Sequence, residues 1–167
     1  MKREALAAVL TLLASVAAGD APLPPPAAIV RCSANGLYCA RSDPRSDSIV
    51  VYRKGSEKAP LWSVKGWARA FDVADSGDHL VTCFGGLNLL PLDYKSDWTM
   101  LSFHERGRLV RQVSLGELVP YPSKLRRTAS HYEWGRCVGF EGARKYSVET
   151  VDRGTLLFDV TTGQLAR

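Results

Sequence analysis

The chain has 167 residues and carries 22 basic against 17 acidic side chains, a formal net charge of +5 at neutral pH. This length is enough to bury a hydrophobic core without help from a metal or cofactor, so we expect one domain and no cofactor. The positive excess is too small to indicate nucleic-acid binding, because no basic run is longer than Lys124-Leu125-Arg126-Arg127.

The chain begins with Lys2 and Arg3, followed by an apolar stretch at residues 5–18 that ends in small side chains before Gly19. This pattern is typical of a secretory signal peptide, here residues 1–18. Crossing a bilayer takes about 20 apolar residues, and no stretch of the chain is that long, so we expect no membrane span. We therefore expect an exported protein, periplasmic or secreted, of which residues 19–167 remain after cleavage.

Residues 19–28 include Pro22 and the run Pro24-Pro25-Pro26. Prolines fix φ and remove backbone donors, which predicts an extended linker that is not part of the fold. From residue 29 to residue 167, short alternating runs rich in Val, Tyr, Phe, Trp and Thr are separated by glycine turns. This pattern predicts strands throughout, in a single all-β domain.

Two similar units are visible in these strands. A hairpin closed by Gly36 is repeated by a hairpin closed by Gly77, 41 residues later, and each is followed by two further strands around Gly55 or Gly107. A weaker third copy covers residues 137–164. The sequence thus predicts about three antiparallel four-stranded units. The second unit has an insert at residues 85–95, and we expect minor helical turns at 115–119 and 122–127, between units two and three.

The segment Ser33-Ala34-Asn35-Gly36-Leu37-Tyr38-Cys39-Ala40 resembles the Ser-Pro-Asp-Gly-x-x-x-Ala hairpin of WD40-like and YVTN-type β-propellers. Residues 157–164 resemble the third strand of such blades, with its Asp-x-x-Thr-Gly turn. The resemblance implies blade-like units. Complete propellers have about 4 to 8 blades, so about three units imply either a partial, open β-propeller or two copies that complete a ring. The chain also resembles small uncharacterised exported bacterial proteins that have an apolar insert and a segment like residues 130–135.

Four cysteines in an exported chain predict two disulfides, with three connectivities open. We favour Cys32 with Cys39, which flank the first hairpin, and Cys83 with Cys137, which would join two units. A two-residue turn at Asn35 would place Cys32 opposite Cys39, whereas a three-residue turn would put the pair out of register. The alternative is four small buried thiols.

A metal site built from His79, Cys83, His131 and Cys137 is a further alternative, but their spacing matches no zinc signature, so we expect no metal. We also find no nucleophile or metalloprotease motif, and so expect no catalytic residue and no enzymatic activity. His79 and His104 are expected to be solvated strand residues. The acidic residues Asp152 and Asp159 are expected to form turns.

Two groups of residues are predicted to bind a partner. The insert group concentrates apolar side chains, and the alternative is that its leucines cover a sheet edge and complete the core. The connection group combines cations with an aromatic ring, which suits a polar or anionic ligand, and the alternative is simple packing of arginine stems on tryptophan. The insert group is Leu87, Leu89, Leu90, Tyr94 and Trp98, and the connection group is Arg126, Arg127, His131 and Trp134.

The function expected from these features is that of a non-enzymatic binding or scaffold module of the cell envelope, acting through protein-protein contacts. A protein partner, or a second copy completing a ring, would be its ligand. One alternative is a periplasmic inhibitor or immunity-type protein that plugs a secreted hydrolase with a protruding loop. The other is a hydrolase of unknown substrate.

Overall fold

The computed structural model describes residues 22–166, so the predicted signal peptide at residues 1–18 lies outside the described residues. Three four-stranded antiparallel sheets follow one another along the chain. Unit one comprises β1 (Ile29–Cys32), β2 (Tyr38–Asp43), β3 (Ser48–Arg53) and β4 (Pro60–Lys65). Unit two comprises β5 (Ala70–Val73), β6 (His79–Cys83), β8 (Thr99–Glu105) and β9 (Arg108–Ser114), with the short strand β7 (Leu89–Pro91) between β6 and β8.

The connection after unit two contains the helix α1 (Leu115–Leu118), a 3-10 helical turn at Pro122–Lys124, and the short strands β10 (Arg126–Arg127) and β11 (His131–Glu133). Unit three comprises β12 (Gly135–Glu141), β13 (Lys145–Thr150), β14 (Gly154–Asp159) and β15 (Gln164–Leu165). The prediction of an all-β fold of three antiparallel four-stranded units is confirmed, as are helical turns between units two and three. Within the described residues, no helix combines the length and apolar character needed to cross a membrane.

Unit two is the middle unit, and both of its faces are covered. Successive residues of a strand point to opposite faces, and in β6 Leu80 belongs to the cluster shared with unit one while Val81 belongs to the cluster shared with unit three. Both side chains are fully buried. The core is therefore divided into two layers between three stacked sheets, as blade-like units require.

The insert and the connection form a fourth, three-stranded sheet in the order β10, β11, β7. In this sheet, Leu90 of the insert pairs with Tyr132 of the connection. We expected residues 122–127 to form a helical turn, but only Pro122–Lys124 is helical, and Arg126 and Arg127 are strand residues. The extended backbone at these arginines is stabilised by pairing with Glu133 and Tyr132 of β11, which in turn pairs with β7 of the insert.

Both predicted disulfides are present, Cys32 with Cys39 and Cys83 with Cys137. Cys32 and Cys39 lie directly opposite each other in the ladder of β1 and β2, so the alternative register is wrong. Gly36 has a φ of 69° in this hairpin, a value that favours glycine. The second disulfide joins β6 of unit two to β12 of unit three, across 54 positions of sequence.

The proline-rich segment forms no regular secondary structure over residues 22–28. It is nevertheless attached to the fold, which corrects the expectation of a linker apart from it. Trp67 and Arg69, in the turn between units one and two, donate hydrogen bonds to the backbone oxygens of Ala27 and Pro24.

Candidate functional site: a cleft along the first strands of the three units

A cleft of about 640 Å³ is lined by the first strand of every unit. β1 contributes Arg31, β5 contributes residues 70–72, and β12 contributes residues 135–138. Each of these strands is the terminal strand of its sheet, and β5 contacts both β1 and β12. We call this opening the three-strand cleft. Its volume lies within the range of about 300 to 1,000 Å³ that is typical of ligand sites.

Three arginine-carboxylate pairs surround the cleft, and they come from different parts of the chain. Arg31 lies 3.9 Å from Asp72, Arg126 lies 3.7 Å from Glu133, and Arg136 lies 2.7 Å from Glu149. The arginine side chains of these pairs are all at least half exposed. Exposed pairs contribute little to folding stability, because water screens them, so their charges remain available to a ligand.

The closest of these pairs shifts the ionisation of both partners. The hydrogen bond from Arg136 lowers the pKa of the Glu149 carboxyl below its ordinary value. The same bond raises the pKa of the Arg136 guanidinium. Both groups therefore stay charged at neutral pH, and the pair presents a fixed positive and negative charge at the rim of the cleft.

A buried tyrosine anchors the acidic side chain at the centre of the cleft. Tyr146 of β13 donates a 2.6 Å hydrogen bond from its hydroxyl to Asp72 of β5. Tyr146 is fully buried, and this burial, together with the charge of Asp72, raises the pKa of its phenol far above the ordinary value. The phenol thus stays protonated and acts as a permanent donor that orients the carboxylate between units two and three.

The disulfide of Cys83 and Cys137 forms part of the cleft wall, beside Phe84. The sulfur of Cys83 lies 3.2 Å from the hydroxyl oxygen of Tyr146. A disulfide sulfur carries no proton, so the hydroxyl is the only donor in this contact and its proton is shared with Asp72. The disulfide and the tyrosine therefore connect units two and three at the same place.

The predicted insert group is divided between surface and core. Leu87 is exposed and lines the cleft, Leu90 is fully buried, and Leu89 is half-buried. Tyr94 packs edge-on against Tyr132 at 5.5 Å, and Trp98 stacks on Phe84 at 6.0 Å between ring centroids. Leu90 completes the core of units two and three, as the alternative interpretation of the insert predicted. Only the exposed side chains of the insert remain available to a partner.

The connection group is divided in the same way. Arg126 and Arg127 are exposed, and Arg126 lines the cleft. Trp134 is 1% exposed, so its ring belongs to the core and is not a binding surface. His131 is half-buried, with Nδ1 2.9 Å from the hydroxyl of Ser130. The two predicted groups meet where the indole of Trp134 donates to the carbonyl oxygen of Leu87.

The two strand histidines are less exposed than expected. His79 is 8% exposed, and His104, in β8 of the same sheet, is partly buried, which lowers its pKa. The Nδ1 atoms of both rings are buried without a hydrogen-bond partner. Within residues 22–166, no group of three or more His, Cys, Asp or Glu side chains is arranged to hold a metal ion. Asp159 accepts from the backbone and hydroxyl of Thr161, as expected of a turn residue.

Most residues of the cleft were not among the predicted site residues. Arg31 and Asp72 occupy equivalent positions of the first two units, separated by the same distance as Gly36 and Gly77. Charged residues at equivalent positions in the first strands of repeated units are a sequence signal that could have identified the cleft. Tyr146 and Glu149 carry no such signal, because each is an ordinary residue of an alternating strand.

Comparison with known proteins adds little to these observations. No family model matches the chain, and no curated protein matches it either. Among solved structures, the chain is similar to hydrazine synthase of Kuenenia stuttgartiensis, with 12% sequence identity and a TM-score of 0.37. That similarity covers 81% of this chain and 34% of the other, and at this TM-score it carries no functional argument.

Proposed function

We propose that this protein is an exported, non-enzymatic binding module of the cell envelope, and that it binds a segment of a protein partner in the three-strand cleft. The observation that carries the proposal is the set of three arginine-carboxylate pairs, from three separate parts of the chain, around one opening of about 640 Å³. Two disulfides fit an oxidising compartment, which supports export.

The chemistry of the cleft suits an extended polypeptide. Its arginines and carboxylates balance, so it offers both a positive and a negative partner to side chains, whereas a polyanion such as nucleic acid would meet three carboxylates. Phe84 and Leu87 add apolar surface. Because β1, β5 and β12 are terminal strands, their outer edges leave backbone donors and acceptors that can pair with an extended chain.

The carboxylates of the cleft also raise the alternative of a hydrolase. Acid catalysis at neutral pH needs a carboxyl group whose pKa is raised. In the cleft, Arg136 lowers the pKa of Glu149, and Asp72 lies between the guanidinium of Arg31 and the hydroxyl of Tyr146. Glu149 is therefore held in its ionised form and the carboxyl group of Asp72 is held in a fixed orientation, and both features suit binding better than proton donation.

An inhibitor of a secreted hydrolase is the other alternative, and it needs a loop that enters a partner's active site. The insert is the obvious candidate, but β7 pairs with β11, and Leu90 is buried beneath the pair. Leu87 and Leu92 remain exposed on either side of this strand. An inhibitory contact would therefore have to use a surface that is held against the domain rather than a protruding plug.

A second copy of the chain could also be a partner, because two sets of three units would complete a six-unit ring. Unit one exposes Val30 and Leu61, each just over half accessible, and unit three exposes Val138 and Leu165. Sedimentation velocity of the mature protein distinguishes the arrangements, since an open module sediments as a monomer and a completed ring as a dimer.

Charge reversal at one rim pair tests the proposed function. We expect mature protein immobilised on resin to capture a partner from envelope extract, and Arg136→Glu to weaken that capture strongly. Arg108→Glu is the matched control, because Arg108 forms an equally exposed pair with Glu105 that does not line the cleft. Equal capture by both variants and the wild type would contradict binding in the cleft, and substrate turnover by the isolated protein would favour the hydrolase.

A further inference from the structure

A second contact surface is formed by the turn between units one and two. Trp67 donates its indole Nε1 proton to the backbone oxygen of Ala27 at 2.9 Å. Arg69 donates from Nη2 to the backbone oxygen of Pro24 at 2.7 Å. The guanidinium of Arg69 also lies over the indole ring of Trp67, 5.1 Å from its centroid. None of these residues lines the three-strand cleft.

The spacing of the two acceptors is that of a polyproline II helix. This helix has three residues per turn and no internal hydrogen bonds, so its carbonyl groups are free and those three residues apart point to the same side. Pro24 and Ala27 are three residues apart, within the run Pro24-Pro25-Pro26 that favours this conformation. The two donors therefore engage one face of a single turn of the helix.

The donors are also held in place before any ligand arrives. The backbone amide of Ala68, between Trp67 and Arg69, donates to the hydroxyl of Ser42 at 2.9 Å. Ser42 is fully buried, so the turn is tied to the interior of unit one. Next to it, Gly66 has a φ of 101° and donates to the backbone oxygen of Asp47 at 2.8 Å. A rigid pair of donors reduces the entropy that binding would cost.

We propose that Trp67 and Arg69 form a recognition site for polyproline II segments, which the chain's own residues 22–27 occupy in this structure and which a proline-rich segment of a partner protein binds in their place. Both hydrogen bonds go to backbone oxygens, so any segment with the same conformation and spacing satisfies them. An aromatic ring beside hydrogen-bond donors is the general chemistry by which such segments are recognised.

The chain's own segment must compete with the partner's. A tethered segment acts at an effective concentration of about a millimolar, and occupancy by it reduces the fraction of sites open to another ligand. The apparent affinity for an added proline-rich peptide is therefore low in the wild type. This apparent affinity increases when substitutions remove the polyproline II conformation of the tethered segment without changing the chain length.

The test uses a fluorescent peptide with the sequence of residues 21–28, added to mature protein and followed by anisotropy. In the open variant, Pro24→Gly, Pro25→Gly and Pro26→Gly remove the polyproline II preference of the tethered segment. We expect the open variant to bind the peptide about tenfold more tightly than the wild type. Trp67→Phe removes the indole donor, and Arg69→Gln replaces the cationic donor by a shorter neutral amide, so adding either to the open variant should weaken binding at least about tenfold.

Two controls keep the outcome unambiguous. Trp98→Phe in the open variant changes a tryptophan that stacks on Phe84 in the second unit, and it should leave peptide affinity unchanged. A peptide in which glycine replaces every proline should bind weakly or not at all. The proposal is overturned if the open variant binds the peptide no better than the wild type, or if neither Trp67→Phe nor Arg69→Gln, in variants that melt cooperatively, weakens the binding.

Discussion

Trp134 donates its indole proton to the carbonyl oxygen of Leu87 at 2.7 Å, and this bond joins the insert of unit two to the connection that precedes unit three. Leu87 has a φ of 60°, which is unusual for a leucine and turns its carbonyl toward the buried ring. The backbone amide of Trp134 also donates to the oxygen of Asn88. The rim of the three-strand cleft at Leu87 is thus held by a core residue.

Replacement of Trp134 by phenylalanine should therefore destabilise the protein. It removes the hydrogen bond to the carbonyl of Leu87, which costs about 0.5 to 1.5 kcal/mol, and it reduces packing in the core as well. Trp98→Phe is the control, since Trp98 is half-buried and no side-chain hydrogen bond of its indole is described. Urea denaturation measures both variants. Equal midpoints for Trp134→Phe and the wild type would mean that this bond does not stabilise the fold.

The insert leucines should respond differently to the same substitution. Leu90→Ser removes a fully buried side chain and places a hydroxyl in the core, so we expect a loss of at least about 2 to 3 kcal/mol. Leu87→Ser changes an exposed side chain and should leave the melting temperature nearly unchanged. Calorimetry of the two single variants separates core from surface. A larger effect at Leu87 than at Leu90 would contradict the described packing.

The bond between Tyr146 and Asp72 predicts a dependence of stability on alkaline pH. Burial, followed by the charge of Asp72, raises the pKa of Tyr146 above the ordinary value of 10.0. The unfolded chain releases the phenolic proton above about pH 10, whereas the folded protein retains it, so stability is complete below that pH and decreases as the pH rises further.

Tyr146→Phe tests this relationship in two ways. At neutral pH the variant loses a hydrogen bond to a charged group, about 1.5 to 3 kcal/mol. Above about pH 10 its stability should decrease less steeply than that of the wild type, although Tyr52, whose pKa burial also raises, retains part of the slope. Denaturation curves at several pH values provide the comparison. Parallel curves for the two proteins would show that Tyr146 ionises freely in the folded state.

The two disulfides should differ in what they contribute to stability. On the chain-entropy account, replacing Cys83 and Cys137 by serine costs about 4 kcal/mol, because the bridge closes a long loop, and replacing Cys32 and Cys39 costs about 2.5 kcal/mol. Guanidinium denaturation of the two double variants tests the order, and mass spectrometry of the native protein should show no free thiol. A greater loss from the hairpin pair would reverse the expected order.

Much of this fold follows from local sequence. The strands of the three units, the bridge between Cys32 and Cys39 and the turn at Gly36 depend on alternation and on glycines within a few residues, and they could be predicted. The bridge between Cys83 and Cys137 spans 54 positions, and it was predicted by pairing the two remaining cysteines. The sheet of β7, β10 and β11 could not, because Leu90 and Tyr132 are far apart in sequence and each lies in a strand of only three residues. The burial of Trp134 follows from that pairing, so its assignment to a surface was wrong.

The cleft could not be predicted from local sequence patterns, for a related reason. Its walls come from three units, and the pairing of Arg136 with Glu149 depends on the register of β12 and β13. Of the cleft residues, Arg31 and Asp72 could have been identified by comparing the sequences of units one and two, because they occupy equivalent positions. The prolines of residues 22–27 predict an extended segment, but its attachment to Trp67 and Arg69 required the structure.

Site-specific photocrosslinking in envelope extract tests binding in the three-strand cleft most directly. A benzophenone amino acid at Val138, which lines the cleft, is compared with one at Leu109 in β9, which does not. The two side chains have matched exposure, 49% and 48%, so chance collisions should label both equally. We predict a discrete crosslinked protein at Val138 that is absent at Leu109 and is lost when Arg136→Glu is added. Equal crosslinking at the two positions, or crosslinking only at Leu109, would contradict the proposed function.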